Sequence, residues 1–311
     1  MKIIITGGAG LIGSNICDRL VNDSHEVMVI DNLCSGKKEY ISKKAHFLEI
    51  DIRDTKIKKI LNDFKPEIVI HCAAQISVKN SGIAPINDAD VNILGSLNIL
   101  ESVKNINLKK FIFAASGGTV YGDQKYFPAD ENHELKPLSP YGIAKFTVEN
   151  YLNFYNLNYG LNYISLRYSN VYGPRQNPNG EAGVVAIFSK NISKGENPII
   201  NGDGLQTRDF TYIDDVVEAN LKAIESDFIG PLNISTGIET NIISIFNILK
   251  RVSRNNKIIY NTGTMPQGEP RRSVLDPNKA KGVFKWFPKV SIEDGLEQTY
   301  KWFHKLVPDE Q

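Results

Sequence analysis

Lys2-Ile3-Ile4-Ile5-Thr6-Gly7-Gly8-Ala9-Gly10-Leu11-Ile12-Gly13 is the stretch that decides the fold of this chain. Its opening residues are apolar and mostly β-branched, which predicts a short buried parallel strand. The glycines that follow allow a tight turn and let the backbone approach a pyrophosphate. The charge of that group then lies at the positive end of the next helix, which the apolar spacing predicts from Ser14 to Val21.

A second strand, Glu26-Val27-Met28-Val29-Ile30, follows this helix and ends in Asp31. Strand, glycines, helix and strand in this order predict a βαβ unit that binds a dinucleotide. An acidic residue about twenty positions beyond the glycines can hydrogen-bond a ribose diol. Asp31 and Asn32 favour NAD, because the extra phosphate of NADP would be repelled by the carboxylate and would require an arginine. The predicted residues around the pyrophosphate are Gly7, Gly10, Leu11, Ile12 and Gly13.

The overall composition is ordinary for a globular enzyme. The chain has 311 residues, of which 41% are apolar and 23% charged, and its formal net charge is +1. This balance suggests neither a nucleic-acid surface nor a basic membrane-binding face. We see no apolar run long enough to span a bilayer, and the N-terminal run is not typical of a signal peptide. The three scattered cysteines and five unpaired histidines predict a reducing, cytoplasmic location and no metal site.

Two further strand candidates lead into residues that we expect at the cofactor. Phe47-Leu48-Glu49-Ile50 is followed by Asp51 and Ile52, a plausible clamp for the adenine. Ile68-Val69-Ile70-His71 leads into Ala73, Ala74 and Gln75, and small residues at the end of a strand let the backbone approach a ligand. His71 is interpreted as a packed core histidine rather than a catalytic one.

An amphipathic helix is predicted over residues from about 87 to 105. Asn92 lies on it, and its amide either reaches the cofactor, braces the neighbouring loop or faces solvent. Spacing alone leaves these alternatives open.

A second decisive stretch is Ser139-Pro140-Tyr141-Gly142-Ile143-Ala144-Lys145. Ser139 can cap a helix and Pro140 is tolerated in its first turn. Tyr141 and Lys145 then share one helix face. Because a neighbouring cation favours the phenolate, the pair predicts a tyrosine whose pKa is lowered from about 10 and which acts as a general base. Such a pair alone is usually a surface aromatic beside a lysine, so its weight depends on the βαβ unit that precedes it.

Together these motifs resemble the extended short-chain dehydrogenase/reductase superfamily. Within it, the chain is similar to the NAD-dependent epimerase/dehydratase family, of the UDP-glucose 4-epimerase type. The resemblance covers nearly the whole chain and is more specific for the superfamily than for the substrate. Besides the stretches already quoted, it is carried by Asp51-Ile52-Arg53-Asp54, Val120-Tyr121-Gly122, Arg167-Tyr168-Ser169-Asn170-Val171-Tyr172-Gly173-Pro174-Arg175 and Arg208-Asp209-Phe210.

The resemblance implies an α/β fold with a doubly wound parallel (Rossmann) sheet and a smaller C-terminal α/β substrate lobe. We expect the NAD-binding domain at residues 1–170, with a return segment at about 209–234. The UDP-sugar lobe is expected at 171–208 and 235–311. The return begins with Tyr212-Ile213-Asp214-Asp215-Val216, where the acidic pair is interpreted as helix capping. The family also implies a homodimer, formed through the helices around residues 87–105 and 141–157.

The implied chemistry is a two-way hydride transfer. Tyr141 removes the proton from the sugar C4 hydroxyl, and hydride passes from C4 to NAD. The transient 4-keto sugar then rotates in its pocket and takes the hydride back on its other face. Lys145 and the positive nicotinamide ring lower the pKa of the tyrosine, and Lys145 also holds the nicotinamide ribose. Tyr168 belongs to the implied cofactor contacts. Many members place a catalytic serine or threonine where this chain has Gly117. Ser116 is our preferred replacement and Thr119 the alternative.

The implied substrate contacts lie mostly in the second half of the chain. Asn170 would contact the nucleotide diphosphate, Val184 and Ile199 would border the uracil, and Arg208 would bind phosphate, unless it is a surface arginine paired with Asp209. Gln267-Gly268-Glu269-Pro270-Arg271-Arg272-Ser273 resembles a second phosphate loop. A frequent family arginine falls at Pro266 here, so Arg271 is expected to replace it. Some members have a bulky tyrosine at Ser273, and a small residue there leaves room for an N-acetyl group.

The implied activity is C4 epimerisation between UDP-glucose and UDP-galactose. One alternative is an epimerase that acts on UDP-N-acetylglucosamine and UDP-N-acetylgalactosamine, or on UDP-glucuronate. Another, from a different class, is a noncatalytic NAD-binding regulator. The missing hydroxyl at Gly117 supports that alternative, whereas the intact pair of Tyr141 and Lys145 opposes it. Dehydration is not expected, because Gly117-Gly118-Thr119 supplies no carboxylate.

Overall fold

The computed structural model describes residues 1–179, 183–264 and 270–307. The first half contains, in chain order, β1 (Lys2–Thr6), α1 (Leu11–Asn22), β2 (Glu26–Asp31), β3 (His46–Glu49), α2 (Ile57–Phe64), β4 (Ile68–His71), α3 (Val78–Ile83), α4 (Pro85–Ala89), a π-helical segment (Asp90–Leu94), α5 (Gly95–Val103), β5 (Lys110–Ser116), α6 (Gly117–Val120), α7 (Pro140–Tyr159) and β6 (Tyr163–Tyr168). A short 3-10 turn lies at Lys38–Tyr40.

The second half contains β7 (Asn170–Tyr172), α8 (Val184–Ser193), β8 (Ile199–Asn201), β9 (Thr207–Tyr212), α9 (Ile213–Glu225), β10 (Gly230–Ile234), β11 (Glu239–Asn241), α10 (Ile242–Ser253), β12 (Asn261–Gly263), β13 (Arg272–Ser273), α11 (Asn278–Phe284) and α12 (Ile292–His304). Within the described residues, no helix has both the length and the apolar character needed to cross a membrane.

The main sheet has seven strands in the order β10-β6-β5-β4-β1-β2-β3. Every neighbouring pair is parallel. The chain moves outward from β1 in one direction to β3, and then starts again on the other side of β1 with β4. The doubly wound sheet is therefore confirmed, and its topological switch point lies between β1 and β4, where ligands bind at the carboxyl ends of the strands.

Alternating residues of the strands fill two separate cores on the two faces of this sheet. Ile3 and Ile5 are buried with residues of α1 and α9. Ile4 is buried with residues of α2 and α5 on the opposite face. Because both faces are covered, the strand must be apolar throughout, which explains the unbroken β-branched run.

The sequence Leu166-Arg167-Tyr168-Ser169-Asn170 resembles one further strand, but in the structure it divides between two strands of different sheets. β6 ends at Tyr168, and Asn170 begins β7, which pairs with β9. Between them, Ser169 donates its backbone N–H to Ile234 O and its hydroxyl shares a hydrogen bond of 2.7 Å with Thr211 Oγ1. The prediction of one strand over 166–170 was wrong, because these contacts with distant strands draw the chain out of the main sheet.

The second lobe is built around β9, which pairs with β7, β11 and β13. A separate parallel pair is formed by β8 and β12. After β9 the chain returns to the main sheet, since α9 packs in the same core as α1 and β10 joins the main sheet beside β6.

The acidic pair at the start of α9 does not cap this helix. The residue before the helix makes no side-chain capping hydrogen bond. Asp215 is buried and accepts the backbone N–H groups of Lys289 at 2.9 Å and Val290 at 3.1 Å, while Asp214 stays exposed. The capping interpretation is therefore corrected for Asp215, which anchors the segment before α12.

Candidate active site

The turn between β1 and α1 is shaped for a phosphate group. Gly7 has a φ of +70°, and a Cβ there would lie 2.5 Å from Ala73 N, so only glycine fits between the two strand ends. A Cβ at Gly13 would lie 2.4 Å from Gly7 O, so the helix also packs closely on the turn. α1 has no side-chain cap and no acidic residue in its first turn. The N–H groups of Leu11 and Ile12 therefore remain available to an anion, and the turn fits the pyrophosphate of NAD.

Asp31 lies at the end of β2 and holds this turn in place. Its Oδ2 accepts the backbone N–H of Ala9 at 2.9 Å and its Oδ1 accepts that of Leu33 at 2.8 Å. Each carboxylate oxygen has a second lone pair, so the residue is still able to accept from a ribose hydroxyl. That contact stays a prediction.

The predicted adenine clamp is organised by Arg53, which the sequence analysis did not assign. Its Nε and Nη2 donate to Oδ1 and Oδ2 of Asp51, both at 2.8 Å, and its Nη1 donates to Asp90 at 2.6 Å. Asn32 Nδ2 also donates to Asp51, at 2.8 Å. The hydrogen bonds from Arg53 hold the pKa of the Asp51 carboxyl well below its usual range. An arginine between two acids in Asp51-Ile52-Arg53-Asp54 was the available signal.

The loop after β4 is braced from the π-helical segment. Asn92 is only 2% exposed. Its Oδ1 accepts Gln75 N at 2.8 Å, and its Nδ2 donates to Gln75 O at 3.0 Å and to Asp88 Oδ1 at 2.9 Å. The solvent-facing alternative is wrong, and Asn92 braces the loop that carries Ala73 and Ala74. The buried Asp88 was not identified from the sequence.

His71 is a core residue, as predicted. It is fully buried, and its ring nitrogens hydrogen-bond Thr6 Oγ1 at 2.6 Å and Ser96 Oγ at 2.9 Å. Burial lowers its pKa to about 3. The ring therefore stays neutral and connects β1 and β4 to α5, the helix that follows the π-helical segment.

Helix α7 begins as its sequence predicts and carries both residues of the predicted acid-base pair. Ser139 Oγ accepts the N–H of Gly142 at 3.1 Å, and Pro140 lies in the first turn. Lys145 is 3% exposed, and its Nζ donates to Ala114 O on β5 at 2.9 Å. The same Nζ lies 5.8 Å from the centroid of the Tyr141 ring. The helix thus joins both residues to the end of β5.

The electrostatics of this pair differ from the expectation. Burial raises the pKa of Tyr141 to about 12, although a hydrogen bond with Ser116 acts in the opposite direction. Burial also lowers the pKa of Lys145 to about 8. The expected lowering of the tyrosine pKa by Lys145 is therefore not produced by the chain alone, because both groups lose water and the ammonium bonds a carbonyl instead of the phenol.

The loop after β5 favours Ser116 over Thr119 as the second hydroxyl. Ser116 ends the strand and its side chain acts to lower the pKa of Tyr141, whereas Thr119 Oγ1 donates to the carbonyl of Ser116 at 3.5 Å. A Cβ at Gly117 would lie 2.3 Å from Leu275 Cδ1, so a serine at that position would require the Leu275 side chain to shift.

Tyr168 ends β6, and its hydroxyl bonds a residue of the core. It is buried, and its hydroxyl accepts from Asn220 Nδ2 at 2.8 Å in the core beneath α9. The predicted contact of Tyr168 with the cofactor stays a prediction.

Three predicted substrate residues lie on neighbouring strands beside the catalytic loop. Asn170 is exposed, and its Oδ1 lies 3.7 Å from the Cβ position of Gly118. Arg208 on β9 is opposite the buried Ser273 on β13. Arg208 is only 9% exposed, and Asp209 turns away to accept the N–H groups of residues 236 and 237. The alternative of a surface arginine paired with Asp209 is wrong.

The remaining predicted substrate residues are more dispersed. Val184 begins α8 and is half-buried, and Ile199 is exposed on β8. Arg271 is exposed and donates two hydrogen bonds to Asp203, both at 2.7 Å. Pro266 and the expected phosphate-loop residues Gln267-Gly268-Glu269 lie outside the described residues. Across the part of the chain that the structure describes, no group of three or more His, Cys, Asp or Glu side chains could hold a metal ion.

Comparisons with known proteins agree with this architecture. The model of the NAD dependent epimerase/dehydratase family matches residues 3–235. A putative UDP-glucose 4-epimerase of Methanocaldococcus jannaschii is 45% identical over 303 residues, which cover 96% of this chain and 97% of the relative.

Two solved structures have nearly the same fold. The UDP-glucose 4-epimerase of Thermotoga maritima, determined with UDP-glucose, is 46% identical, with a TM-score of 0.96 over 98% of this chain and 99% of that one. The UDP-N-acetylglucosamine 4-epimerase of Methanobrevibacter ruminantium, in complex with UDP-N-acetylmuramic acid, is 36% identical, with a TM-score of 0.93 over 98% and 99%. The chain belongs to the NAD-dependent epimerase/dehydratase family.

Proposed function

We propose that this chain is an NAD-dependent isomerase that interconverts UDP-glucose and UDP-galactose at C4. The observation that carries the proposal is the meeting of Tyr141, Ser116 and Lys145 at the end of β5, beside the glycine turn that fits a pyrophosphate. The similarity to proteins named UDP-glucose 4-epimerase over nearly the whole chain supports it.

The side chains divide the work of epimerisation between them. Bound NAD supplies reversible hydride exchange at the sugar C4. Tyr141 accepts the C4 hydroxyl proton and later returns it, and Ser116 orients that hydroxyl through its hydrogen bond with the phenol. Because the chain alone holds the pKa of Tyr141 at about 12, proton abstraction requires more positive charge near the phenol than Lys145 provides. Asn170 and Arg208 are proposed to hold the diphosphate.

The test is NMR of the purified chain with catalytic NAD and either UDP-galactose or UDP-N-acetylgalactosamine. Conversion of UDP-galactose to UDP-glucose without accumulation of NADH is the expected result. Tyr141→Phe should lower the turnover number by about 10³-fold. The Tyr141→Phe variant should still bind NAD, because the phenol takes no part in shaping the glycine turn between β1 and α1. Conversion of neither substrate, or an unchanged rate in Tyr141→Phe, would reject the assignment.

A second candidate is epimerisation of the N-acetylated UDP-sugars. Ser273 favours it, because this small buried residue lies opposite Arg208 at the proposed substrate site. Faster conversion of UDP-N-acetylgalactosamine than of UDP-galactose in the same NMR experiment would establish this preference. UDP-glucuronate is the third substrate to include.

The proposed assembly is a homodimer. Its surface is the apolar face of α3, α4, the π-helical segment and α7, which carries the exposed side chains of Ile83, Ile86, Leu94, Phe154 and Leu157. Monomers rarely leave so many large apolar side chains exposed together. The proposed location is the cytoplasm, which is supported by free thiols at Cys17, Cys34 and Cys72.

A further inference from the structure

Tyr121 and Arg167 belong to motifs of the chain but have no part in the chemistry described above. Both are buried, and Arg167 Nη1 donates to Tyr121 Oη at 3.0 Å. Tyr121 directly follows α6, the single helical turn that begins after Ser116. A guanidinium buried to 3% exposure has to place its donors in hydrogen bonds, so its partners indicate its role.

The other edge of this guanidinium binds the helix of the acid-base pair. Nε and Nη2 of Arg167 donate to Oε1 and Oε2 of Glu149 at 2.9 and 2.6 Å. Glu149 lies on α7, one helical turn after Lys145, and is 7% exposed. Ser165 Oγ also donates to Glu149 Oε1, at 2.6 Å. The planar fork of an arginine suits this two-point contact, which a lysine cannot reproduce.

A third connection runs through Tyr121 to β10. The Tyr121 hydroxyl accepts from Arg167 and donates to Asn233 Oδ1 at 2.7 Å. Asn233 is fully buried, and its Nδ2 donates to Ala129 O at 3.0 Å. The connection therefore fixes both the start and the middle of the segment between α6 and α7.

We propose that Arg167 is a positioning residue that holds Ser116 and Tyr141 in register, through Tyr121 on one side and Glu149 on the other. Ser116 ends a strand and Tyr141 lies on a helix, so the approach of their hydroxyl groups depends on how these two elements are placed. Arg167 hydrogen-bonds Tyr121, in the segment that follows Ser116, and Glu149, on the helix that carries Tyr141. A shift of about 1 Å between reacting groups is enough to cost two orders of magnitude in rate.

The test uses Tyr121→Phe, because an Arg167 variant would leave the Glu149 charge buried and unpaired and is expected to unfold. Tyr155→Phe is the matched control. It removes a hydroxyl that joins the same helix to Glu101, at 2.5 Å, away from the catalytic loop. The probe is protein labelled with ¹³C at the tyrosine ζ carbon, in which the Tyr141 signal is identified by its loss in Tyr141→Phe.

Ser116→Ala should shift the Tyr141 signal, and Tyr121→Phe should shift it in the same direction. The double variant should shift it no further, and Tyr155→Phe should leave it in place. An unmoved signal in Tyr121→Phe, or full additivity with Ser116→Ala, would overturn the proposal. Melting temperatures of all four variants report any general loss of stability separately from this coupling.

The consequence for turnover rests on the proposed function. Tyr121→Phe should lower kcat roughly tenfold with little change in KM, and should have no further effect in Ser116→Ala. If the unaltered chain converts no UDP-sugar, the proposed function fails while the NMR shifts still decide the positioning role. If the chain turns over normally but Tyr121 and Ser116 act independently, the positioning role fails alone.

Discussion

Lys145 is a cation held almost without water in the centre of the candidate site. Its ammonium bonds one carbonyl and lies 4.7 Å from the centroid of the Phe113 ring. A buried lysine is unfavourable for folding unless its charge is compensated. The chain therefore keeps at this position a group that serves chemistry at the expense of stability.

Replacement of Lys145 by methionine should make this cost visible in the pH dependence of unfolding. Burial lowers the pKa of Lys145 from 10.5 in the unfolded chain to about 8. Between pH 8 and 10.5 the unfolded state binds more protons, so the stability of the unaltered chain rises with pH in this window. Below pH 8 the full penalty is present and amounts to roughly 3 kcal/mol.

Urea unfolding of both proteins at pH 7.5 and pH 9.5 checks this prediction. Relative to Lys145→Met, the unaltered chain should gain stability at the higher pH, because other groups titrate alike in both proteins. Parallel behaviour of the two proteins across this range would contradict a lowered lysine pKa.

The hydroxyls of Ser116 and Thr119, on either side of Gly117, should differ clearly in their effect on kcat. Ser116→Ala should lower kcat by about 10²-fold, because it removes the hydroxyl that acts to lower the pKa of the Tyr141 phenol. Thr119→Val, its matched control in the same loop, should change kcat little, since that hydroxyl bonds a carbonyl at 3.5 Å. Steady-state rates with the UDP-sugar identified by NMR distinguish them. A larger loss in Thr119→Val would reverse the assignment.

At the scale of elements, α7 combines a local capping signal with a long-range attachment. Ser139 fixes where the helix begins, and Lys145 and Glu149 bond groups of β5 and β6. The first turn carries Tyr141, so fraying at this end would move the phenol. The start of the helix thus bears on both stability and catalysis.

Ser139→Ala should lower the free energy of unfolding by about 1 kcal/mol, the usual effect of losing an N-terminal cap. Ser291→Ala is the matched control, because Ser291 caps α12 by accepting Asp294 N at 3.1 Å. Both variants should lose similar stability in urea, but only Ser139→Ala should also lower kcat. Equal kcat in the two variants would show that the first turn of α7 does not depend on its cap.

At the scale of the whole molecule, the candidate site depends on two lobes that meet beside β5. Arg175 of the second half donates to Asp18 of α1 at 2.6 Å. Leu275 lies against Gly117, where the catalytic loop begins. These contacts bring Arg208 and Ser273 to the site through the β9 and β13 pairing, although both are far from the glycine turn in sequence.

The proposed homodimer predicts that one charge on the apolar helix face will separate the subunits. Ile86 is 85% exposed on α4 and Leu157 is 74% exposed on α7. Ile86→Asp should give a monomer in light scattering after size-exclusion chromatography, because burying the carboxylate in an apolar interface is costly. Ile238→Asp, at an exposed position outside these helices, should remain a dimer. A monomeric unaltered chain would reject the proposed assembly.

The sequence by itself determined the βαβ unit, the glycine turn between β1 and α1, and the start of α7. Each depends on local rules: strand periodicity, the backbone freedom of Gly7, and a cap at Ser139 that reaches only to Gly142. These interactions span a few residues, so their pattern is visible in the order of the amino acids.

Only the tertiary structure decided that Ser116 meets Tyr141, that the Tyr168 hydroxyl bonds Asn220 in the core, and that Arg53 links Asp51 to the distant Asp90. It also decided that Lys145 does not by itself lower the tyrosine pKa. Hydrogen bonds between distant segments and the loss of water around a charge depend on how the strands are ordered in space. The order of amino acids along the chain shows neither these long-range hydrogen bonds nor the loss of water around a charge.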